Sequence, residues 1–457
     1  MALTLYDKSK INKKELLYPT RALFALLIPI VIEQLLNSFM GMVDTMMVSS
    51  VGSEAISAVS LVDSISNLVI QVFSAMATGA SIICSQYIGG KDEKGANKAA
   101  RQVCLTVFTI SVLLVTFAII FRRPLLSFVF GKVDEGVMTK SLAYFFITVL
   151  SYPFLALFNV GGALFRAGGN SKFPMKISII SNVMNIVGNA ILIFVFNMGV
   201  EGAAISTLFS RVFSAIVIYV YLRRPRQIIV LNNYFAIRPD FPLIGKILAI
   251  SVPAGIENGM FQFGKLAIQS TVSGMGTIAI AAQAMTNILE NVNGIFGIGV
   301  GMGLMTLVGQ AIGAGRKEEA KYYIVKCTLI GWIGIIISCL LVFALCKPVT
   351  FLGRMEPESA ELCFKMITAI TIFKPIFWTL SFVPNYGLRA AGDVRFSMIV
   401  SASTMWIVRV ALCISLVRLF GMGPMAVWIA MFSDWAVRGL IFSIRFFSGR
   451  WLKKKVI

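Results

Sequence analysis

Between residues 22 and 447 the chain is a succession of apolar stretches, many of them about 20 residues or longer, separated by short polar connections. An α-helix rises about 1.5 Å per residue, so roughly 20 such residues cross a hydrocarbon core about 30 Å thick. Inside lipid every backbone N–H and C=O must be satisfied by the protein, which leaves helices and closed barrels as the only spanning structures. Barrel strands are short and alternate in polarity, whereas these runs are long and continuously apolar. Composition agrees: 57% of the 457 residues are hydrophobic and 14% are charged, against about a quarter charged in soluble domains. The chain therefore reads as an all-α polytopic membrane protein.

Twelve transmembrane helices are expected, at roughly 22–48, 55–88, 100–121, 139–165, 173–197, 202–222, 244–272, 278–312, 320–346, 361–388, 396–417 and 424–447. The second and eighth are long enough to extend beyond the bilayer or to tilt strongly. The basic, polar segment 1–21 is followed by no small-residue cleavage site, which argues against a removed signal peptide. The net charge of +20 comes from 41 basic and 21 acidic residues. In a soluble protein it would suggest nucleic acid; here the positive-inside bias explains it. Segments 91–101, 166–176, 223–227, 315–321 and 450–455 carry the charge clusters, while SSVGSE, FNMGVEG and SGMGTIA hold no Lys or Arg. The loop 122–140, with four basic residues, runs against this alternation. The expectation is a multi-pass protein of the plasma (inner) membrane with both termini cytoplasmic.

An internal repeat sets the organisation. IPIVIEQLLNSF (28–39) lies over VPAGIENGMFQF (252–263), SQYIGGKDEKGANKAAR (85–101) over GQAIGAGRKEEAKYYIV (309–325), and RAGGNSKFPM (166–175) over RAAGDVRFSM (389–398). Three blocks share one order and nearly one offset, about 223 residues. Six helices separate corresponding points, so the two six-helix lobes have the same orientation, and a substrate site is expected near the midplane at their interface. The expected segments are a cytoplasmic tail 1–21, an N-lobe 22–222, an inter-lobe loop 223–243, a C-lobe 244–447 and a basic tail 448–457.

The chain has no histidine, which excludes His general bases, Ser-His triads and His-rich metal sites. Its seven cysteines are scattered without a CxxC and read as small buried hydrophobes. What remains is a set of polar residues inside apolar helices, each costing about 2.5–3.5 kcal/mol on insertion scales if ionised. Glu33, Asn37 and Asp44 fall on one face of the first helix, because eleven positions return to within about 20° of the starting direction. Asp63, Asn67 and Gln71 repeat every four residues, as do Asn185 and Asn189. Gln283, Asn287, Glu290 and Asn291 share a face of the eighth helix. Such stripes face water or each other rather than lipid.

Bland readings stand beside these. A single Asn is often interhelical glue, and Asp63 and Asp434 could be solvated near the interface. Arg211, Arg409 and Arg438 would snorkel or pair at helix ends, and Lys265 and Lys374 would pair with Glu257 or Glu290. Asp44 has no nearby basic residue in sequence, and its repeat counterpart is Ile268. A feature required only for packing similar halves should recur in both, so a functional role leads for Asp44.

With MVDTMMVSSVGSEAISAVSL (42–61), SQYIGG, GQAIGAG, ALFRAGGNSKFPM (163–175) and NIVGNAILIF (185–194), the chain resembles the multidrug and toxic compound extrusion (MATE) family over essentially its whole length. The resemblance implies export of organic cations or other amphiphilic drugs or metabolites by alternating access, driven by inward H⁺ or Na⁺, with no resident cofactor and no enzymatic activity. It implies a cation-coupling set at Asp44, Asn185, Asn189 and Thr207, with Na⁺ held at the first three if Na⁺ is the ion. The family's second carboxylate is here the amide of Asn189, which weakens a two-aspartate scheme. The substrate cavity is expected to draw on Glu33, Asn67, Gln71, Glu257, Gln283, Asn287 and Glu290. The partners are a small amphiphilic molecule and the bilayer, with no nucleic acid, and the protein is expected to be a monomer. Three rivals are a lipid-linked oligosaccharide flippase of a related superfold, an intramembrane lipid-modifying enzyme and an ion channel. The flippase would have extra helices and a markedly basic cavity, the enzyme a clustered catalytic constellation, and the channel a symmetric pore.

Overall fold

Pro29 and Pro253, at matching places in the repeat, each lie inside a long helix of the computed structural model: α1 (Thr20–Ser49) and α9 (Phe241–Ser273). The structure describes residues 5–456 except 13, 132–133, 226, 233–237 and 455. Parts of the expected tails 1–21 and 448–457 and of the loops 122–140 and 223–243 thus lie outside the described residues. The other helices are α2 (Ser53–Gly89), α3 (Glu93–Ile120), α4 (Arg122–Phe130), α5 (Glu135–Leu150), α6 (Tyr152–Ala167), α7 (Lys172–Asn189) and α8 (Gly199–Leu222). They continue with α10 (Thr277–Gly313), α11 (Lys317–Leu352), α12 (Pro357–Ala390), α13 (Val394–Ser403), α14 (Ala411–Phe420) and α15 (Met425–Phe447). Among the described residues there is no strand.

Among the described residues, ten helices are long and apolar enough to cross a membrane, counting α7 with the π segment that extends it and α13–α14 as one. The pair α5–α6 makes an eleventh, bent by 41°. The sequence suggested one helix at 139–165. The break follows from Pro153, which cannot donate to the carbonyl one turn back, while Ser151 turns its N–H and hydroxyl onto Thr148 O. The remaining expected span, α9, is 33 residues long but falls short on apolarity, because Pro253, Glu257, Asn258 and Gln262 sit in its middle. The long second and eighth spans are α2 and α10, each of 37 residues.

Helix α3 starts seven residues before the expected position. KDEKGANK looks like a loop by hydrophilicity, yet Asp92 caps it by accepting from Gly95 N (2.8 Å), and Glu93 complements the first turn. The loop 122–140 also gains structure, in α4. Two of its cations have partners there: Lys140 pairs with Glu54 (2.6 Å) and Arg122 lies over the Phe146 ring. The N-terminal segment is not a loose tail. Asp7 N and Leu17 N donate to Glu318 and Glu319, and Tyr18 N donates to the Tyr323 hydroxyl.

Packing divides the chain into two units, one of residues 35–255 and one of residues 1–34 with 256–457. The expected lobe borders lay in loops; the packing borders cut α1 and α9 themselves, within two turns of Pro29 and Pro253. In the first unit α2, α3, α5, α6 and α8 close around buried Phe73, Phe145 and Tyr152, with Phe73 edge-on to Tyr152. In the second, α10, α11, α12 and α15 enclose Trp428 and Trp435. Outer faces are apolar, as Leu113, Ile120, Leu341 and Leu440 illustrate, which suits lipid rather than water.

Two π segments interrupt corresponding helices: Ala190–Val195 follows α7, and Thr404–Val410 joins α13 to α14. A π turn adds a residue to the helical loop, leaves some carbonyls poorly bonded, and is commonly found at functional sites.

Candidate functional site

In the unit of residues 35–255, α1, α7 and α8 bring Asp44, Asn185, Asn189 and Thr207 together. Asn189 Nδ2 donates to Asp44 Oδ1 (2.7 Å). With its amide oriented so that both ends are satisfied, Asn185 donates to the same Oδ1 (2.8 Å) and accepts from Thr207 Oγ1 (3.1 Å). The four-residue spacing of Asn185 and Asn189 is what places both amides on one face of α7. Gly188 allows the approach of α7 to α8: a Cβ there would run into Ser206, whose hydroxyl donates to Asn185 O (2.8 Å). Asn189 also precedes the π segment, and its Oδ1 is buried with no hydrogen-bond donor. Asn37, higher on the α1 stripe, accepts from Ser178 Oγ (2.9 Å) and serves as glue between α1 and α7.

Sequence reasoning undervalued Arg211. It lies one turn beyond Thr207 on α8, donates to Ser151 Oγ (2.7 Å) at the α5–α6 break, and stands within electrostatic reach of both Asp44 and Asp63. The snorkelling reading is thereby corrected: the guanidinium is directed inward because two carboxylates and the bent span offer it polar partners. Its i+4 relation to Thr207 was the available signal. Asn67 is exposed on α2 and Gln71 is half-buried on the same helix.

The remaining expected cavity residues fall into separate places. Glu33 is buried near the border in α1. Glu257 is buried, 3.9 Å from Arg389 at the end of α12, and accepts from Ser397 Oγ (3.2 Å) on α13. Gln283 donates to Asn287 (3.2 Å) and accepts from Trp428 Nε1 (3.1 Å). Glu290 accepts from Lys374 Nζ (2.5 Å), which also reaches Glu290 O and Asn293 Oδ1. Lys374 is fully buried, so its pairing with Glu290, one of the two carboxylates open to it from sequence, meets the need to neutralise an ammonium in oil. Two acids that sequence reasoning offered to a cationic substrate thus already have cations of the protein.

Asp434 is fully buried rather than solvated at an interface. It accepts from Arg409 Nε (3.0 Å) and Nη2 (2.5 Å) and from Arg438 Nη2 (3.0 Å), while Arg438 Nε reaches Thr404 Oγ1 (3.3 Å). Arg409 and Arg438 are therefore held inward in mid-helix, not at helix ends. Among the described residues, no group of three acidic, cysteine or histidine side chains is arranged to hold a metal ion.

These features belong to a known architecture. The MatE family model matches residues 29–191 and again 253–415, so both halves of the repeat are copies of one unit. A transporter of Bacillus subtilis, YisQ, is 28% identical over 95% of this chain and 96% of its own length. The probable multidrug resistance protein NorM of Thermotoga maritima is 25% identical over 98% and 97%. An outward-facing multidrug resistance MATE family transporter superposes with a TM-score of 0.86 at 18% identity, covering 95% of this chain and 96% of that one. With two family matches that together span most of the sequence, on helices built for a bilayer, this chain belongs to the MatE family of membrane transporters.

Proposed function

We propose that this protein is a secondary-active exporter of amphiphilic small molecules, coupled to inward H⁺ or Na⁺ through Asp44. The network that joins Asp44 to Asn189, Asn185 and Thr207 carries the reading. An intramembrane carboxylate is costly, and here it meets neutral amide partners instead of a bonded counter-ion. Asp44 offers the anionic oxygen that a proton or cation requires, and the orphaned Asn189 Oδ1 is a neutral oxygen beside it. Hard oxygen donors of this kind suit Na⁺ if Na⁺ is the ion carried.

In this scheme ion binding at Asp44 favours one conformation over the other, and the work available equals the difference in ion affinity between the two. Relatives described as probable multidrug resistance proteins support drug-like amphiphiles as cargo. The charge asymmetry of the connections supports cytoplasmic termini in the inner membrane. The test is dye efflux from proteoliposomes with H⁺ and Na⁺ gradients imposed separately. Uphill transport is expected under one of them and is lost in Asp44→Asn. Undiminished uphill transport by that variant removes Asp44 from coupling.

A further inference from the structure

Around Phe261 the second unit gathers more cations than the neighbouring acids balance. Three cations surround the ring of Phe261 on α9: Lys265 Nζ at 5.6 Å from its centroid, Arg409 Cζ at 4.9 Å and Arg438 Cζ at 5.5 Å. Asp434 is the carboxylate that Arg409 and Arg438 share. The next acid, Glu290, is already bonded to Lys374. Lys265 lies within electrostatic reach of Glu290 and of Arg409 but forms no ion pair among the described residues. Four cations thus face two carboxylates; three of the cations are buried and one, Lys265, is exposed, so the cluster carries a formal excess of positive charge in a segment where each charge is expensive.

Packing alone would not select this arrangement. A structural ion cluster is balanced, since an uncompensated charge in low dielectric destabilises the fold. Here the excess is presented outward: Arg409 and Arg438 are buried, whereas Lys265 is exposed, one turn from Phe261 along the same helix. Arg409 lies in the π segment Thr404–Val410, and Gly264 admits Met405 of that segment against α9, so the backbone is shaped to bring Arg409 to Phe261.

The repeat sharpens the contrast. Phe209-Ser210-Arg211 lies over Phe432-Ser433-Asp434, so the residue that is the lone cation of one cluster is the shared acid of the other. The first cluster sets Asp44 and Asp63 against Arg211 and is net negative; the second is net positive. Copies of one unit have thus taken opposite polarity.

Building on the exporter reading, we propose that Lys265, Arg409 and Arg438 around Phe261 form the receptor for an anionic group of the transported molecule. The group is a carboxylate or phosphate carried by an amphiphile with a flat apolar body. Lys265 supplies the accessible ammonium, the two guanidinium groups supply the field behind it, and Phe261 gives the apolar body a face.

The test uses the full chain in nanodiscs of zwitterionic lipid, with carboxyfluorescein as anionic probe and ethidium as cationic probe. Anisotropy should report carboxyfluorescein binding that weakens roughly tenfold or more in Lys265→Gln, the loss of one charge-assisted contact, while ethidium binding does not weaken. Lys265→Arg should retain carboxyfluorescein binding, which separates charge from folding. Binding that is equal in wild type and Lys265→Gln, or absent in wild type, overturns the proposal. Discs containing phosphatidylglycerol identify the occupant: if this lipid displaces the dye and proteoliposomes export ethidium but not carboxyfluorescein, the site holds a lipid headgroup and the substrate assignment falls. Lys265-dependent binding with no gradient-driven transport of either dye would instead retain the anion site and overturn the exporter reading.

Discussion

Replacing Asp44 by Asn separates folding from coupling, because both amide donors reach the same oxygen. Asn189 and Asn185 donate to Asp44 Oδ1, and an asparagine can present its carbonyl oxygen at that position. Both hydrogen bonds then survive as neutral ones, each weaker by about 1 kcal/mol. Removing an intramembrane charge returns a similar amount, about 2.5–3.5 kcal/mol on insertion scales, so Asp44→Asn should fold and insert normally. What it loses is the exchangeable charge. One ion carried across 100 mV supplies about 2.3 kcal/mol, and a tenfold ion gradient adds about 1.4 kcal/mol. Coupled one to one with a neutral substrate, this sustains a substrate gradient of roughly 500-fold. Wild-type proteoliposomes should approach that limit under the correct ion gradient, and Asp44→Asn should stop at equal concentrations on both sides. Circular dichroism and size-exclusion profiles would check that the variant is intact. A folded Asp44→Asn protein that still builds more than about a tenfold gradient refutes the coupling argument.

Three further outcomes follow from the packing. Asp434→Asn leaves Arg409 and Arg438 buried without their shared carboxylate and should destabilise the protein by about 3–5 kcal/mol; thermal melting in detergent reads this, and adding Arg409→Met with Arg438→Met should recover much of the loss. Glu290→Gln alone should be costly because it strands the fully buried Lys374, whereas Glu290→Gln with Lys374→Met should lie near wild type in the same assay; equal melting of the single and double variants would contradict the pairing argument. Gly188→Val should force α7 from α8 at Ser206, cost about 1–3 kcal/mol, and reduce ion-driven transport by displacing Asn185 and Asn189; unchanged transport would show that this close approach is dispensable.

The helices were legible in the sequence because a bilayer imposes one demand on every spanning segment: enough consecutive apolar residues, with backbone groups bonded internally. The same demand misled at α3, where a polar, capped start looked like a loop. Asn185, Asn189 and Thr207 could be singled out because fixed helical spacing makes sequence positions into faces. Lys374 had two candidate acids, Glu257 and Glu290, and only packing chose Glu290. Arg211, Arg409 and Arg438 were misjudged for a related reason. An isolated arginine in a helix has a cheap way out to the membrane surface, and only the positions of Ser151, Asp63 and Asp434 show that it is held inside.

By itself the sequence determined the membrane class, the approximate spans, the twofold repeat and the list of expensive polar residues, since each follows from composition or periodicity along one chain. The tertiary structure decided which of those residues neutralise one another and which are left over. Electrostatic compensation depends on distances of a few ångströms between helices far apart in sequence, and no spacing along the chain encodes it. The contrast between a net negative cluster at Asp44 and a net positive one at Phe261 therefore emerges only when the helices are brought together.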